Sequence, residues 1–336
     1  MPLISQIGRK KLHIHTLLIA ITTILWIGVA LHLFPVWWMI KTSITPTWEV
    51  FDFPSRLWPS KPTLVVYKLL YRFEQEWAGS AGETLRYPLY VYIKNSCIMS
   101  FGTMALQIPI TALAAYALSK LYSPRLSRIV FIFFIGTMFI PFSVRIIPNY
   151  LILAHFPFPT LNVPKIPFTG KKFPNYNFLN TYWAVILPAA YNGFNLLLLK
   201  GFFDGIPDSI IHAARIDGAS ELSIFRRIIF PMSKAVFAVV AYFSFSAAWN
   251  QFMWPLAVLQ EAKLWPLSVL LYQMQAFLSQ GTVSRELYPS GKAGMEAGLS
   301  INGLMGVAII ESIPVFIAFL VFREQPMKGI KLRGFK

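Results

Sequence analysis

Between Leu17 and Ile40 the chain carries no Lys, Arg, Asp or Glu. At about 1.5 Å per residue, a helix of that length crosses a hydrocarbon core roughly 30 Å thick. Such a run offers water no polar face. Arg9, Lys10 and Lys11 stand before it, and Pro35, Trp37 and Trp38 lie near its far end, the aromatic pattern of a membrane interface. A cleaved signal peptide has a similar basic start, but its apolar region is only about 7–15 residues and ends in small residues. The run is therefore read as an uncleaved first span, with residues 1–16 as a cytoplasmic N-terminus.

Composition extends this reading to the whole chain. It is 56% hydrophobic and 13% charged, against about 25% charged in soluble domains. Too little polar surface remains for water. The net charge of +16, from 30 basic and 14 acidic residues, would suggest nucleic acid on a soluble protein. Here the basic residues sit beside apolar runs, where they hold loops in the cytoplasm and meet anionic head groups. No aromatic-plus-basic RNA motif or zinc-ligand spacing supports nucleic-acid binding. The single cysteine, Cys97, excludes an internal disulfide framework and, within NSCIMSF, reads as a packing residue.

Further apolar runs predict an all-α polytopic membrane protein. Six transmembrane helices are expected at about 17–40, 95–119, 129–153, 178–199, 235–260 and 298–322, within one domain covering 17–336. The third is interrupted by Pro141, Arg145 and Pro148, and the sixth by Glu311 and Pro314. Lys120, Arg125 and Arg128 mark a cytoplasmic turn after the second span, and the tail with Arg323, Lys328, Lys331, Arg333 and Lys336 is basic. Both termini are thus expected in the cytoplasm. Lys41–Lys94, with an amphipathic helix around 64–77, His155–Asn177 and Glu261–Glu296 become external segments.

Gly205–Pro231, GIPDSIIHAARIDGASELSIFRRIIFP, is polar and periodic and falls between spans four and five. Pro207 suits a first helical turn, because its missing N–H costs nothing there. Asp208 complements the helix dipole. Ile206, Ile210 and Ala214 recur at helical spacing and are expected on one face. Gly218 can take the left-handed conformation that ends helices, Ser220 is a candidate N-cap, and Pro231 limits the second helix. Small residues at Ala213, Ala214, Gly218 and Ala219 would let another backbone approach. On these grounds an amphipathic loop packed on its own membrane domain and a docking element both stay open.

HAARIDGASELSIFRRIIFP resembles the EAA loop of bacterial ATP-binding-cassette importer permeases. Ala213, Ala214, Asp217, Gly218, Ala219, Phe225, Ile228 and Pro231 match that pattern in register. FPVWWMIKTS, NS with AAYALSK, WNQFMWPL, Pro314 and the tail MKGIKLRGFK are similar to the sugar-importer subfamily, in particular its shorter maltose-type subunit. Two positions depart from the pattern. His212 replaces the leading Glu, which removes any ion pair that Glu makes, and Ala235 replaces a later Pro.

The resemblance implies the type I importer permease fold, with a cytoplasmic coupling helix between spans four and five. It implies ATPase docking through His212, Ala213, Ala214, Asp217, Gly218, Ala219, Phe225 and Pro231. It also implies partners: a second permease subunit in a heterodimer, two ATPase subunits and an external solute-binding protein in the bacterial inner membrane. No cofactor is expected on this chain, since ATP and Mg would sit on the ATPase. The sequence has no GxGxxG fingerprint and no Walker loop, so this chain is expected to be a non-catalytic subunit.

Asn192, Asn195, Trp249 and Asn250 are candidates for a substrate path, since amides and an indole suit hydroxyl-rich sugars. Helix–helix hydrogen bonding is the competing role for each. Arg145 and Glu311, charges inside apolar spans, pair with one another, face a water-filled cavity, or snorkel from helix ends that lie elsewhere than the expected span boundaries. The alternatives to a sugar importer are the same machine carrying glycerol phosphate or another polar solute, and a self-sufficient secondary transporter. A membrane enzyme would need paired carboxylates or His clusters in the spans, and none occur there.

Overall fold

The computed structural model describes residues 12–46, 48–50, 55–72, 87–157, 176–279 and 301–323. The regular elements among them are helices. The chain divides into two compact units, Met1–Leu70 with Leu278–Ile309, and Tyr71–Phe277 with Ile310–Lys336. The basic tail beyond Arg323, the first eleven residues and parts of the expected external segments lie outside the described residues.

Among the described residues three helices are long and apolar enough to cross a membrane: Thr16–Ser43 within α1 (Leu12–Ser43), Leu89–Leu121, and α14 (Ile301–Phe322). Leu89–Leu121 is α3 (Leu89–Tyr116) continued by a π-helical turn, Ala117–Leu121. Two bent helix pairs raise the number to as many as five. Most of the large apolar side chains between Leu17 and Ile40 are exposed, as a lipid-facing surface requires.

In the first unit, α2 (Val65–Arg72) falls inside the expected amphipathic segment. Its Tyr67 hydroxyl donates to Ser43 Oγ at 2.9 Å, and Asn302 Nδ2 donates to the Thr45 carbonyl at 3.1 Å. A Cβ on Gly306 would stand 3.3 Å from Val66 Cγ1, so the absent side chain lets α2 lie close to α14.

In the second unit the expected third span is two helices, α4 (Pro124–Gly136) and α5 (Phe142–Ala154), bent by 103°. Ile140 precedes Pro141, and a residue before proline is pushed out of the helical region. Ile140 is accordingly extended, with ψ 113°. The expected fourth span is α6 (Tyr182–Ile186) and α7 (Gly193–Asp204), separated around Pro188. Asn192 caps α7, its side chain accepting from Asn195 N at 3.1 Å. The expected fifth span is α11 (Lys234–Trp249), followed after a short break by α12 (Met253–Val258). Then α13 (Leu267–Ser279) follows.

The core of this unit forms where α3, α7 and α11 meet. Tyr116, Leu196, Leu199, Phe203, Ile224 and Val240 are buried in one cluster. A second cluster joins Met99, Ala184, Trp254 and Val258. Gln107 on α3 donates to the Ala189 carbonyl at 2.7 Å. Trp254 Nε1 donates to the Ala184 carbonyl at 2.9 Å. These two side chains satisfy backbone at or beside the break between α6 and α7, which apolar surroundings would otherwise leave unpaired.

Candidate functional site

Two places concentrate the polar chemistry of the second unit, the 205–231 loop and a cavity. The loop begins with α8 (Asp208–Ile216), with Pro207 at the preceding cap position. Its end is a Schellman arrangement. Gly218 N donates to the Arg215 carbonyl at 3.1 Å and Ala219 N to the Ala214 carbonyl at 3.0 Å. Gly218 has φ +80°, which suits a residue without Cβ. Ser220 then caps α9 (Glu221–Ile224), accepting from Ser223 N at 3.4 Å. The helix continues through a π-helical turn, Phe225–Ile229, into α10 (Phe230–Met232), and bends by 85° before α11. Pro231 brings no N–H to this ladder.

The inward face of α8 differs from the expected one. Ile211 is buried, whereas Ile210 is exposed. Ile206 is also buried but precedes the helix, so the four-residue spacing counted from it does not apply. Phe225 turns inward, its ring 5.5 Å from that of Tyr116.

Ionic contacts fasten the loop to the end of α3. Lys120 Nζ lies 2.6 Å from Asp208 Oδ1 and donates to the Ile206 carbonyl at 2.7 Å. Arg215 donates to Glu221 Oε1 from Nε at 2.7 Å and to the Lys120 carbonyl from Nη2 at 3.2 Å. Tyr116 donates to Glu221 Oε2 at 2.6 Å. The Lys120 ammonium holds the Asp208 carboxyl below its usual range, and the Glu221 carboxylate pushes the Arg215 guanidinium up. Ser209, Ile210, His212, Ala213, Ile216, Asp217 and Gly218 face outward, with Ile216 86% and Leu222 69% exposed. Ala214 and Ala219 are half-buried, and Pro231 is exposed.

The cavity, of about 470 Å³, is lined by parts of α3, α5, α11 and α12 and by the broken stretch between α6 and α7. Asn192 and Asn250 stand on its wall. Asn195 and Trp249 do not. Asn195, 1% exposed, donates from Nδ2 to Gln107 Oε1 at 3.1 Å and to Ser244 Oγ at 2.9 Å. Trp249 Nε1 donates to the Glu311 carbonyl at 2.9 Å, and its ring stacks on Phe245. Both hold helices together. Gln107, Asn149 and Gln251 line the cavity and were missed in the sequence, where only their positions inside apolar runs distinguished them. Arg145 is also on the wall. It makes no ion pair with Glu311, whose Oε2 is buried without a hydrogen-bond partner among the described residues, so the mutual pair is excluded; Arg145 lines the cavity and lies near the start of α5.

Residues 107–323 match the model of a family described as binding-protein-dependent transport system inner membrane component. The chain is 29% identical over 242 residues to the sn-glycerol-3-phosphate transport system permease protein UgpE of Salmonella typhi, covering 72% of this chain and 76% of that protein. It is 34% identical over 177 residues to the polygalacturonan/rhamnogalacturonan transport system permease protein YtcP of Bacillus subtilis, covering 50% of this chain and 60% of that protein. In fold it is similar to a chain of a bacterial ABC transporter involved in the import of the acidic polysaccharide alginate. The TM-score is 0.70 at 19% identity, over 96% of this chain and 99% of that one.

Proposed function

The chain belongs to the binding-protein-dependent transport system inner membrane component family, and from that premise we propose how this permease subunit is built and what it carries. It spans the bacterial inner membrane six times as one domain over residues 17–336, the bent pair α4–α5, the interrupted α6–α7 segment and α11 with α12 each counting as one crossing. Both termini and the 205–231 loop lie in the cytoplasm. Its cargo is a sugar or oligosaccharide, the class that the name of the YtcP relative states, and glycerol phosphate, which the name of UgpE states, or another polar solute is the second reading.

The loop is the coupling element. His212, Ala213, Ala214, Asp217, Gly218 and Ala219 form the docking end for one of two ATPase subunits, on which ATP and Mg are bound. Phe225 and Pro231 seat the second helix against the membrane domain. The observation that carries this is the division of α8. One side is fixed to α3 by Lys120, Arg215 and Glu221, while the opposite side exposes Ala213, Ile216 and Asp217. An element fixed on one side and open on the other can pass a rigid-body movement inward. Closure of the ATPase dimer on ATP would shift the permease between its two openings. A second, different permease subunit completes the pathway, and an external binding protein delivers the cargo. Uptake of candidate sugars into vesicles holding the whole complex tests this. ATP-dependent accumulation that needs the binding protein is expected; accumulation without ATPase subunits would overturn it.

A further inference from the structure

The cavity in the second unit is chemically one-sided. Arg145 is its only charged lining residue among the described residues. Around it stand the amides Gln107, Asn149, Asn192, Asn250 and Gln251. No Asp or Glu lines the wall, and Arg145 makes no ion pair among the described residues. A cation among apolar helices is costly and is retained where a partner or a water-filled cavity compensates it. Here no described residue pairs with it, and the cavity is in the size range of ligand pockets, about 300–1,000 Å³.

The helical turn that carries Arg145 is packed in place. It sits in the first turns of α5, directly after the bend at Pro141. Phe142 on the same helix packs edge-on against Trp254, ring centres 6.2 Å apart, and both rings line the cavity. The cavity wall also includes the broken backbone at Pro188 and Ala189, where the Ala189 carbonyl accepts from Gln107. Among the described residues none is hydrogen-bonded to or paired with Arg145, which leaves its fork of donors for a guest.

We propose that this cavity binds an anionic saccharide, the acidic group (uronate carboxylate or sugar phosphate) meeting the Arg145 guanidinium and the hydroxyls meeting the surrounding amides. A guanidinium pairs with carboxylate or phosphate oxygens through two parallel N–H donors. Amides supply both donors and acceptors for hydroxyls. Aromatic faces at Phe142, Phe252 and Trp254 suit the apolar face of a sugar ring. The inference names the cargo class of the permease proposed above and rests on that reading.

Equilibrium binding to the purified full complex in nanodiscs tests it, with labelled trigalacturonate, sn-glycerol 3-phosphate and maltotriose as probes. At least one acidic probe is expected to bind tenfold or more tightly than maltotriose, and the stronger of the two identifies the acid. Arg145→Gln should collapse that preference. Arg145→Lys should keep part of it, as a cation without the fork. Arg128→Gln, exposed on α4 away from the cavity, should leave it intact. Equal binding of all three probes, no binding of any, or an equal loss for all three in Arg145→Gln would overturn the proposal. A measurement without variants gives an independent answer. Trigalacturonate or glycerol phosphate, and not maltotriose, should protect Arg145 from phenylglyoxal, read by mass spectrometry; modification unaffected by either acid would overturn the proposal. ATP-driven uptake of any cargo tests the permease reading separately and would survive failure of the Arg145 preference.

Discussion

The Tyr116 hydroxyl donates to Glu221 Oε2 at 2.6 Å, joining the end of α3 to the start of α9 across 105 residues of sequence. Each partner sits beside a π-helical turn, Ala117–Leu121 after Tyr116 and Phe225–Ile229 after α9, and the Tyr116 ring also meets Phe225. Arg215 completes the group by holding both Glu221 and the Lys120 carbonyl. The loop is thereby fixed to a long apolar helix by directional contacts, and not by apolar burial alone.

Removing the hydroxyl isolates that contact. Tyr116→Phe keeps the ring packing and deletes one donor to a carboxylate that Arg215 still holds. A loss of about 1 kcal/mol in stability is expected. Arg215→Ala should cost a similar amount, since the pair is partly exposed and solvent screens it. The double variant should lose less than the two losses added together, because both residues serve one carboxylate. Thermal melting of the solubilised complex measures all three, and strict additivity would show that the contacts act separately.

Gly218 isolates the turn. A Cβ there would meet nothing within 4 Å, so a substitution is penalised by backbone conformation and not by crowding. Gly218→Ala should cost about 1 kcal/mol and Gly218→Asn less, since Asn tolerates the left-handed region. Gly218→Pro cannot reach φ +80° and also loses the donor to Arg215. It should abolish ATP-driven uptake while the protein remains inserted, as should Asp217→Arg through the exposed docking end. Uptake that survives both changes would remove the docking role from this turn.

Much of this arrangement was legible in the residues themselves. Runs with few or no charges mark α1, α3 and α14 because a membrane admits few charges. Gly218 and Ser220 mark the loop's turn and cap because their chemistry is local. The breaks were harder to read. Pro141, Pro188 and Pro231 were visible, but whether a proline kinks a span or ends it depends on what takes up the freed backbone. At Ala189 that partner is Gln107, 82 residues away, which no local pattern reveals. Asn192 and Asn195 looked alike as polar groups in one apolar run. Only the packing of α3, α7 and α11 puts the first on the cavity wall and the second behind it.

That difference predicts two phenotypes. Asn195→Ala leaves Gln107 and Ser244 without their shared donor and should lower stability by about 1 kcal/mol, the usual scale for such bonds between membrane helices. The affinity for cargo should change little. Asn192→Ala also removes the cap of α7, so Asn250→Ala is the cleaner probe of the wall. It should raise KM for uptake several-fold with little effect on melting. An Asn195→Ala variant with normal melting and a raised KM would reverse the assignment.

The pair between Lys120 and Asp208 gives a prediction about pH. Its folded carboxyl lies below the usual value, so its contribution is present above the unfolded value of about 3.9 and is lost as pH falls through the folded value. Anchoring of α8 through this pair should therefore be constant between about pH 5 and 8 and weaken only in stronger acid. Asp208→Asn should remove the contribution at neutral pH. Because Asp208 is largely exposed, the loss in melting temperature should be small and should shrink further at high salt. Hydrogen exchange of the α8 amides at pH 5 and pH 8, corrected for intrinsic rates, measures the anchoring directly. Protection that falls between those two values would assign the control to a group other than Asp208.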